Sequence, residues 1–560
     1  MTTLPDTLPN QQISSSRSYD QMQIIEDTHK LMESETINRV SPFRNQPLRA
    51  SCRTADKQTA GLCTSICGGV AWLACCIFSL VTAATVYAAP PNVILLMGDD
   101  HGWEEVGYNG HAHVKTPALD QMAAGGMRFD RFYSGHPSCS PTRGSCLTGR
   151  HPNRYGTFFP GASLRPEEIT IAHLMKKAGY TTAQFGKWHV GPVKAGSPTN
   201  PGAMGFDEWL SHDNFFEMNP QLSRNGGKPK QYQGEGSEVV IDEAIRFIGE
   251  AQKKDKPFLT VVWFGSPHEP YSGLESDLAL YDDLPAELAN RTVGLTSNKT
   301  GERVRRPLRD VLRERYAEIT AMDRSIGKLR NYLKTAGLHQ NTIVWYCGDN
   351  GTPPSGVAGL SPLRGMKGQV YEGGIRVPGV LEWPGMIKQP RHTSVPAVTS
   401  DFLPTLCALT GVEPPSRTLD GINLVPLLEG KMATRPSPIC FWMKDRHHGK
   451  SEPYIDPELQ KGTTPLVKKL ANRFTRNFVN QRIFDLTEVD YQGDRSILDD
   501  RYKLVIAGRS ETATLYDLIK DPGEKNDLSQ TKPQLAAKMQ RDLRTWQQSV
   551  LHSLLGEDYQ

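Results

Sequence analysis

Three apolar runs, each followed at once by a polar cluster, limit the folds open to this chain. Residues 92–97, 257–264 and 342–347 are nearly continuous apolar stretches bounded by turn signals. That is how strands buried on both faces read. The first delivers Gly98-Asp99-Asp100-His101-Gly102, the second Ser266-Pro267-His268-Glu269-Pro270, the third Gly348-Asp349-Asn350-Gly351. Between them lie helical signals: Thr116 as N-cap with Pro117 in the first position, residues 171–175 ending at Gly179, and Tyr316, Ile319, Met322, Ile326, Leu329 and Leu333 stepping by three or four up to Gly337. Further strands are predicted at 127–129 and 181–185, and residues 273–310 read as a polar insertion. Strand and helix alternate, and polar residues collect beyond the strands' carboxyl ends. This predicts an α/β sheet with a site at one edge.

Candidate chemistry gathers at the same places. Adjacent carboxylates at Asp99 and Asp100 are costly at a buried strand end unless paired or bound to a cation, although a turn or helix cap uses the same residues. Hard oxygen ligands of this kind suit Ca²⁺ or Mg²⁺. Cys139-Ser140-Pro141-Thr142-Arg143, continuing to Leu147-Thr148-Gly149-Arg150, is a second focus. Pro141 suits the first position of a helix, which sets Cys139 at or just before an N-terminus, where backbone N–H groups hold anions. The alternatives are a buried apolar cysteine or a Cys139–Cys146 disulfide. Lys187 and His189 flank Trp188, and on an extended segment both would point the same way. Residues 363–378 form a glycine-rich loop carrying Lys367. Asn350-Gly351-Thr352 is formally a glycosylation sequon, discounted for its place at a strand end.

The Cys139 stretch resembles the signature of type I sulfatases, C-x-P-x-R with a T-G-R close, and further motifs recur in that family's order along roughly residues 92–550. The resemblance implies an α/β fold of the alkaline-phosphatase kind, a large mixed sheet sandwiched by helices with a smaller C-terminal α+β subdomain. It implies that Cys139 is oxidised to formylglycine by a maturation enzyme. Asp99, Asp100, Asp349 and Asn350 then match ligands of a divalent cation, usually Ca²⁺ (Mg²⁺ the alternative), which Cys139 also faces. Arg143 holds the aldehyde hydrate, and Lys187 and Lys367 bind sulfate oxygens. His268 protonates the leaving oxygen, and His189 deprotonates the remaining hydroxyl. The expected reaction is hydrolysis of a sulfate monoester, on a sulfated carbohydrate or an aryl sulfate, through a covalent sulfo-enzyme. The competing readings are a phosphonate or phosphate ester hydrolase of the same superfamily, and an inactive binder of sulfated glycans. His101, Trp103, His136, Arg154, His212 and Tyr271 are expected to wall the pocket. Asp401 and Asp420 match the family in structural roles.

The flanks are less specific. Residues 1–65 are polar and read as disordered. Residues 66–89 carry no charge and read as a secretory signal or an uncleaved membrane anchor, with a downstream start as a further alternative. Export to a periplasmic or secreted location is therefore expected, with membrane contact only through an uncleaved anchor. The catalytic body is expected over 90–430 and the C-terminal subdomain over 431–560, where residues 500–506 and 515–518 read as strands and Leu535, Met539, Leu543 and Trp546 line a closing helix. A net charge of +3 gives no argument for nucleic acid. Of ten cysteines, five precede residue 90 and the rest lack C-x-x-C spacing. That argues against a zinc site or a dense disulfide framework.

Overall fold

A computed structural model describes residues 90–297, 302–357, 360–445, 449–466 and 475–560. The polar leader and the apolar stretch at 66–89 lie outside these residues. Among the described residues, no helix is long and apolar enough to cross a membrane.

The main sheet has ten strands. In chain order they are β1 (Asn92–Gly98), β2 (Met127–Phe129), β3 (Thr181–Lys187), β4 (Glu208–His212), β5 (Gln221–Arg224), β6 (Lys230–Gln231), β7 (Phe258–Trp263), β8 (Thr342–Gly348), β9 (Gly379–Glu382) and β10 (Arg391–Thr393). Their spatial order is β10-β2-β9-β8-β1-β7-β3-β4-β5-β6. The five central strands, β8 to β4 in that order, run parallel, and antiparallel pairs flank them. The sheet is therefore mixed, with its parallel centre buried on both faces, as the apolar runs require.

Alternation along β1 sorts the helices into two layers. Val93, Leu95 and Met97 pack with α2 (Cys139–Thr148), α3 (Ile171–Lys177) and α6 (Phe402–Thr410). Ile94 and Leu96 pack with α1 (Pro117–Gly125), α4 (Gly236–Lys253) and α5 (Leu308–Thr335). A second sheet of four antiparallel strands, β11 (Ile439–Lys444), β12 (Gly493–Leu498), β13 (Tyr502–Ile506) and β14 (Ala513–Asp517), carries α7 (Pro533–Leu555). Met539 and Leu543 of α7 bury against this sheet, as the periodicity anticipated.

Several local expectations are corrected. Helix α2 begins at Cys139 with Ser138 as N-cap, so Pro141 is its third residue. Its missing N–H is still one of the first-turn orphans, which is why the sequence signal pointed to the right helix with a two-residue offset. Thr116 makes no side-chain cap on α1; its hydroxyl serves Gly107 N. The carboxylate of Asp323, from α5, accepts Ala118 N and Leu119 N at 2.8 Å each and caps α1 instead. The amphipathic helix starts at Leu308, inside the expected polar insertion, which also contains a hairpin of Thr292–Thr296 with Arg303–Pro307. Cys139 and Cys146 are both free thiols, so no disulfide joins them.

Candidate active site

The register of the parallel strands builds the site. Gly98 pairs with Gly348, and Asp349 N donates to Gly98 O at 3.0 Å, so the Asp99 and Asp349 segments leave the sheet side by side. β3 ends at Lys187, while β7 leads to His268. Helix α2 then aims its N-terminus at this edge. The first helical residue is Cys139, whose Sγ lies 4.0 Å from Asp100 Oδ1.

Ligand atoms of Asp99, Asp100, Cys139 and His268 lie within 4.8 Å of one another. Asp349 and Asn350 reach the same pocket through hydrogen bonds. Asp349 accepts Asp100 N on Oδ1 at 2.9 Å and the Arg143 guanidinium on Oδ2 at 2.7 Å. The Asn350 amide donates to Asp100 Oδ1 at 2.9 Å. Both lysines close on the carboxylates: Lys187 Nζ on Asp99 Oδ2 and Lys367 Nζ on Asp100 Oδ1, each at 2.6 Å. His268 Nε2 stands 3.7 Å from Asp100 Oδ2. Asp99, Arg143, Lys187, Asp349 and Asn350 are fully buried, whereas the Lys367 and His268 side chains retain 20% and 14% exposure. The mouth of the site is therefore on the Lys367–His268 side.

His189 departs from the expected geometry. Its φ is 61°, in the left-handed region, so the segment after Lys187 is not extended and the two side chains are not related by strand alternation. Its two ring nitrogens are buried without a hydrogen-bond partner among the described residues. Burial, reinforced by Lys187, Arg476 and Arg143, holds its pKa well below the usual histidine value, so the ring is neutral at neutral pH. Burial pushes the Cys139 thiol up to about 11, against the pull of Lys187 and Lys367. An unmodified cysteine here stays protonated and is a weak nucleophile.

The donor set fits a hard divalent cation. Asp99 Oδ1 and Asn350 Oδ1 are buried oxygens without a hydrogen-bond partner among the described residues. Such atoms are expensive unless a donor or cation meets them, and the Arg143 guanidinium approaches Asp99 Oδ1 only to 3.6 Å. Burial raises Asp99 to about 7, with Lys187 acting in the opposite sense. Burial would raise Asp100 also, but Lys367, His268 and Lys187 outweigh it and hold this carboxyl well below its usual range.

The expected walls fare unevenly. Trp103 carries the Arg376 guanidinium over its ring, His136 Nδ1 meets Ser138 Oγ at 2.8 Å, and His212 Nε2 meets Pro465 O at 3.0 Å. His101 is fully buried between Tyr346 and Glu105 O, and Tyr271 binds Ser355 and Arg315. Arg154 is no wall: Asp420, Ser549 and Ser553 engage its guanidinium, which makes it an anchor for α7. The sequence reading missed Phe215, which stacks on His268 with ring centroids 4.5 Å apart. An aromatic pair, Phe215-Phe216, just beyond the carboxyl end of β4 was the available signal.

Comparison with known proteins finds relatives in both sequence and fold. The Sulfatase family model matches residues 91–412. The N-acetylgalactosamine-6-sulfatase of Mus musculus is 32% identical over 392 residues, covering 62% of this chain and 68% of the mouse protein. Arylsulfatase A of Homo sapiens is 31% identical over 487 residues, covering 80% of this chain and 85% of the human protein. Among solved structures, Ps i-CgsB in complex with k-i-k-neocarrahexaose superposes with a TM-score of 0.65 at 23% identity, over 82% of this chain and 93% of the other. At that identity the superposition speaks for the fold.

Proposed function

The chain belongs to the sulfatase family and is a sulfuric ester hydrolase; from that premise we propose how its own residues carry the reaction. We infer that Cys139 is matured to formylglycine by a dedicated enzyme, and that Asp99, Asp100, Asp349 and Asn350, with residue 139, hold Ca²⁺ or alternatively Mg²⁺. When bound, the cation supplies positive charge that acidifies a neighbouring hydroxyl and polarises the sulfate.

The side chains then divide the work. Arg143 orients the hydrate of residue 139, and Lys187 and Lys367 bind the sulfuryl oxygens, where positioning and charge supply most of the catalysis. One hydroxyl of the hydrate, its proton already lost to solvent, attacks sulfur as the bond from sulfur to the alcohol oxygen breaks, and His268 gives that oxygen its proton. His189, neutral and without a partner in the pocket among the described residues, takes the proton of the second hydroxyl. The bond from residue 139 to the sulfate oxygen then breaks, sulfate leaves, and the aldehyde is restored.

The observation that carries this reading is the convergence of Asp99, Asp100, Cys139 and His268 within 4.8 Å, with three cations around them. The substrate class we propose is a sulfated carbohydrate or an aryl sulfate, met after export to a periplasmic or secreted location. The test is a rate comparison of nitrophenyl sulfate with the matching phosphate and phosphonate esters. Faster sulfate turnover is expected, and preference for the phosphorus esters would replace this reading with a phosphonate or phosphate ester hydrolase. Binding of sulfated glycan without turnover of any ester would make it a binder.

A further inference from the structure

Helix α5 carries a charge inside its apolar stripe. Leu308, Leu312, Ile319, Met322 and Ile326 are fully buried along it, and Arg315 stands in their line, also fully buried. A guanidinium in such a place is destabilising unless every donor is matched. Here every donor is. Nε donates to Glu105 Oε1, and Nη2 donates to Glu105 Oε2 and to Asp100 O, each at 2.6 Å. Nη1 donates to Pro267 O at 2.6 Å and to the Tyr271 hydroxyl at 3.2 Å. Five N–H groups meet five acceptors, the full capacity of an arginine.

The acceptors belong to separate segments that converge on the site. Asp100 O is the backbone of a proposed cation ligand, and Pro267 O immediately precedes His268. Glu105 reaches the third segment, since it accepts Thr352 Oγ1 at 3.1 Å as well as Gly102 N at 3.1 Å. One buried ion pair thus joins the turns that follow β1, β7 and β8 from beneath.

We propose that Arg315, with Glu105, is a positioning residue for sulfate ester hydrolysis: it fixes the distance between the carboxylate turn after β1 and the turn that carries His268. This rests on the reading of Asp100 as a cation ligand and His268 as the leaving-group acid. A planar fork is needed because two carbonyls, a hydroxyl and a carboxylate are bound in one rigid geometry, which an ammonium on a flexible stem does not reproduce. A small misplacement of reacting groups costs up to about a hundredfold in rate.

The test uses Arg315→Lys in the full chain, with Tyr271→Phe as a milder change in the same network. Three readouts are taken: Ca²⁺ affinity by calorimetry after chelation, the turnover ratio of an alkyl sulfate to nitrophenyl sulfate, and amide hydrogen exchange of residues 99–105 and 266–272. Arg315→Lys is expected to weaken Ca²⁺ binding about tenfold and to slow the alkyl sulfate about tenfold more than the nitrophenyl ester, whose departure needs little acid help. Exchange should rise in both segments together. A folded variant with unchanged affinity, unchanged ratio and faster exchange confined to α5 overturns the proposal. Should Arg315→Lys fail to fold, Tyr271→Phe must show the same pattern at smaller amplitude, and an unaltered ratio and exchange there overturn it equally. If the parent protein turns over no sulfate ester, the functional reading falls, while the paired exchange of the two segments still decides whether the clamp exists.

Discussion

Phe215 lies flat on the imidazole of His268, with ring centroids 4.5 Å apart and planes inclined by 10°. His268 sits on the open side of the site, with Nδ1 against Glu269 O and Nε2 facing Asp100 Oδ2. Phe215, only 2% exposed, covers one face. A stacked pair of this kind contributes about 0.5–1.5 kcal/mol. Phe215→Leu should therefore lower kcat on an alkyl sulfate about three- to tenfold. Steady-state kinetics would check it, and a change confined to KM would mean that Phe215 serves binding instead.

Removal of the cation has a definite sign. Asp99 Oδ1 and Asn350 Oδ1 are buried acceptors without a hydrogen-bond partner among the described residues. A cation that binds only the folded chain at a hundred times its Kd stabilises it by about 2.7 kcal/mol. Chelation should abolish turnover and lower the calorimetric melting temperature by several degrees, and Ca²⁺ should restore both. Asn350→Ala should blunt the restoration.

These two cases show what the sequence revealed and what it could not. The strands were legible because both of their faces are apolar, and the turns beyond them because Asp, Gly and His interrupt those runs abruptly. The candidate cation ligands, Asp99, Asp100, Asp349 and Asn350, and the Cys139 stretch were legible as local motifs. Arg315 was hidden because its partners, Asp100, Glu105, Pro267 and Tyr271, are distant in the chain. A charge falling on the apolar stripe of α5 was the only trace it left. Asp323 capping α1 was hidden for the same reason, since Thr116 offered a local cap that competed for attention. The backbone turn at His189 was not legible, because nothing local announces a left-handed φ at a non-glycine residue.

Lys503 on β13 supplies a prediction about how the second sheet is joined to the body. It is fully buried, with Nζ 3.1 Å from Glu372 Oε1 and 3.0 Å from Glu524 Oε1. Tyr133 OH and Glu372 N complete the network through Glu372 Oε2 and Glu524 Oε2. Lys503→Met would leave two carboxylates buried together without their cation. A loss of about 3–5 kcal/mol is expected in denaturant unfolding. A loss below about 1 kcal/mol, the range of an exposed pair, would contradict it.

His151 predicts acid sensitivity. It is 3% exposed, its Nδ1 accepts Asn153 N at 3.3 Å, and its ring meets Trp546 edge-on at 4.8 Å. Burial lowers its pKa from 6.5 to about 3. The unfolded chain therefore takes up a proton below pH 6.5 while the folded chain does not, so stability falls as pH drops through the window from 6.5 to 3. Between pH 6.5 and 5 this one group accounts for about 2 kcal/mol. Melting temperatures across that range should fall less steeply in His151→Asn, which keeps an acceptor for Asn153 N.

Mass spectrometry of the Cys139 peptide, from enzyme purified from its native host and active on a sulfate ester, addresses the central claim most directly. Residue 139 should be an aldehyde that reacts with hydrazine, and its conversion to the hydrazone should remove activity in proportion. An intact thiol at residue 139 in fully active enzyme would contradict the account.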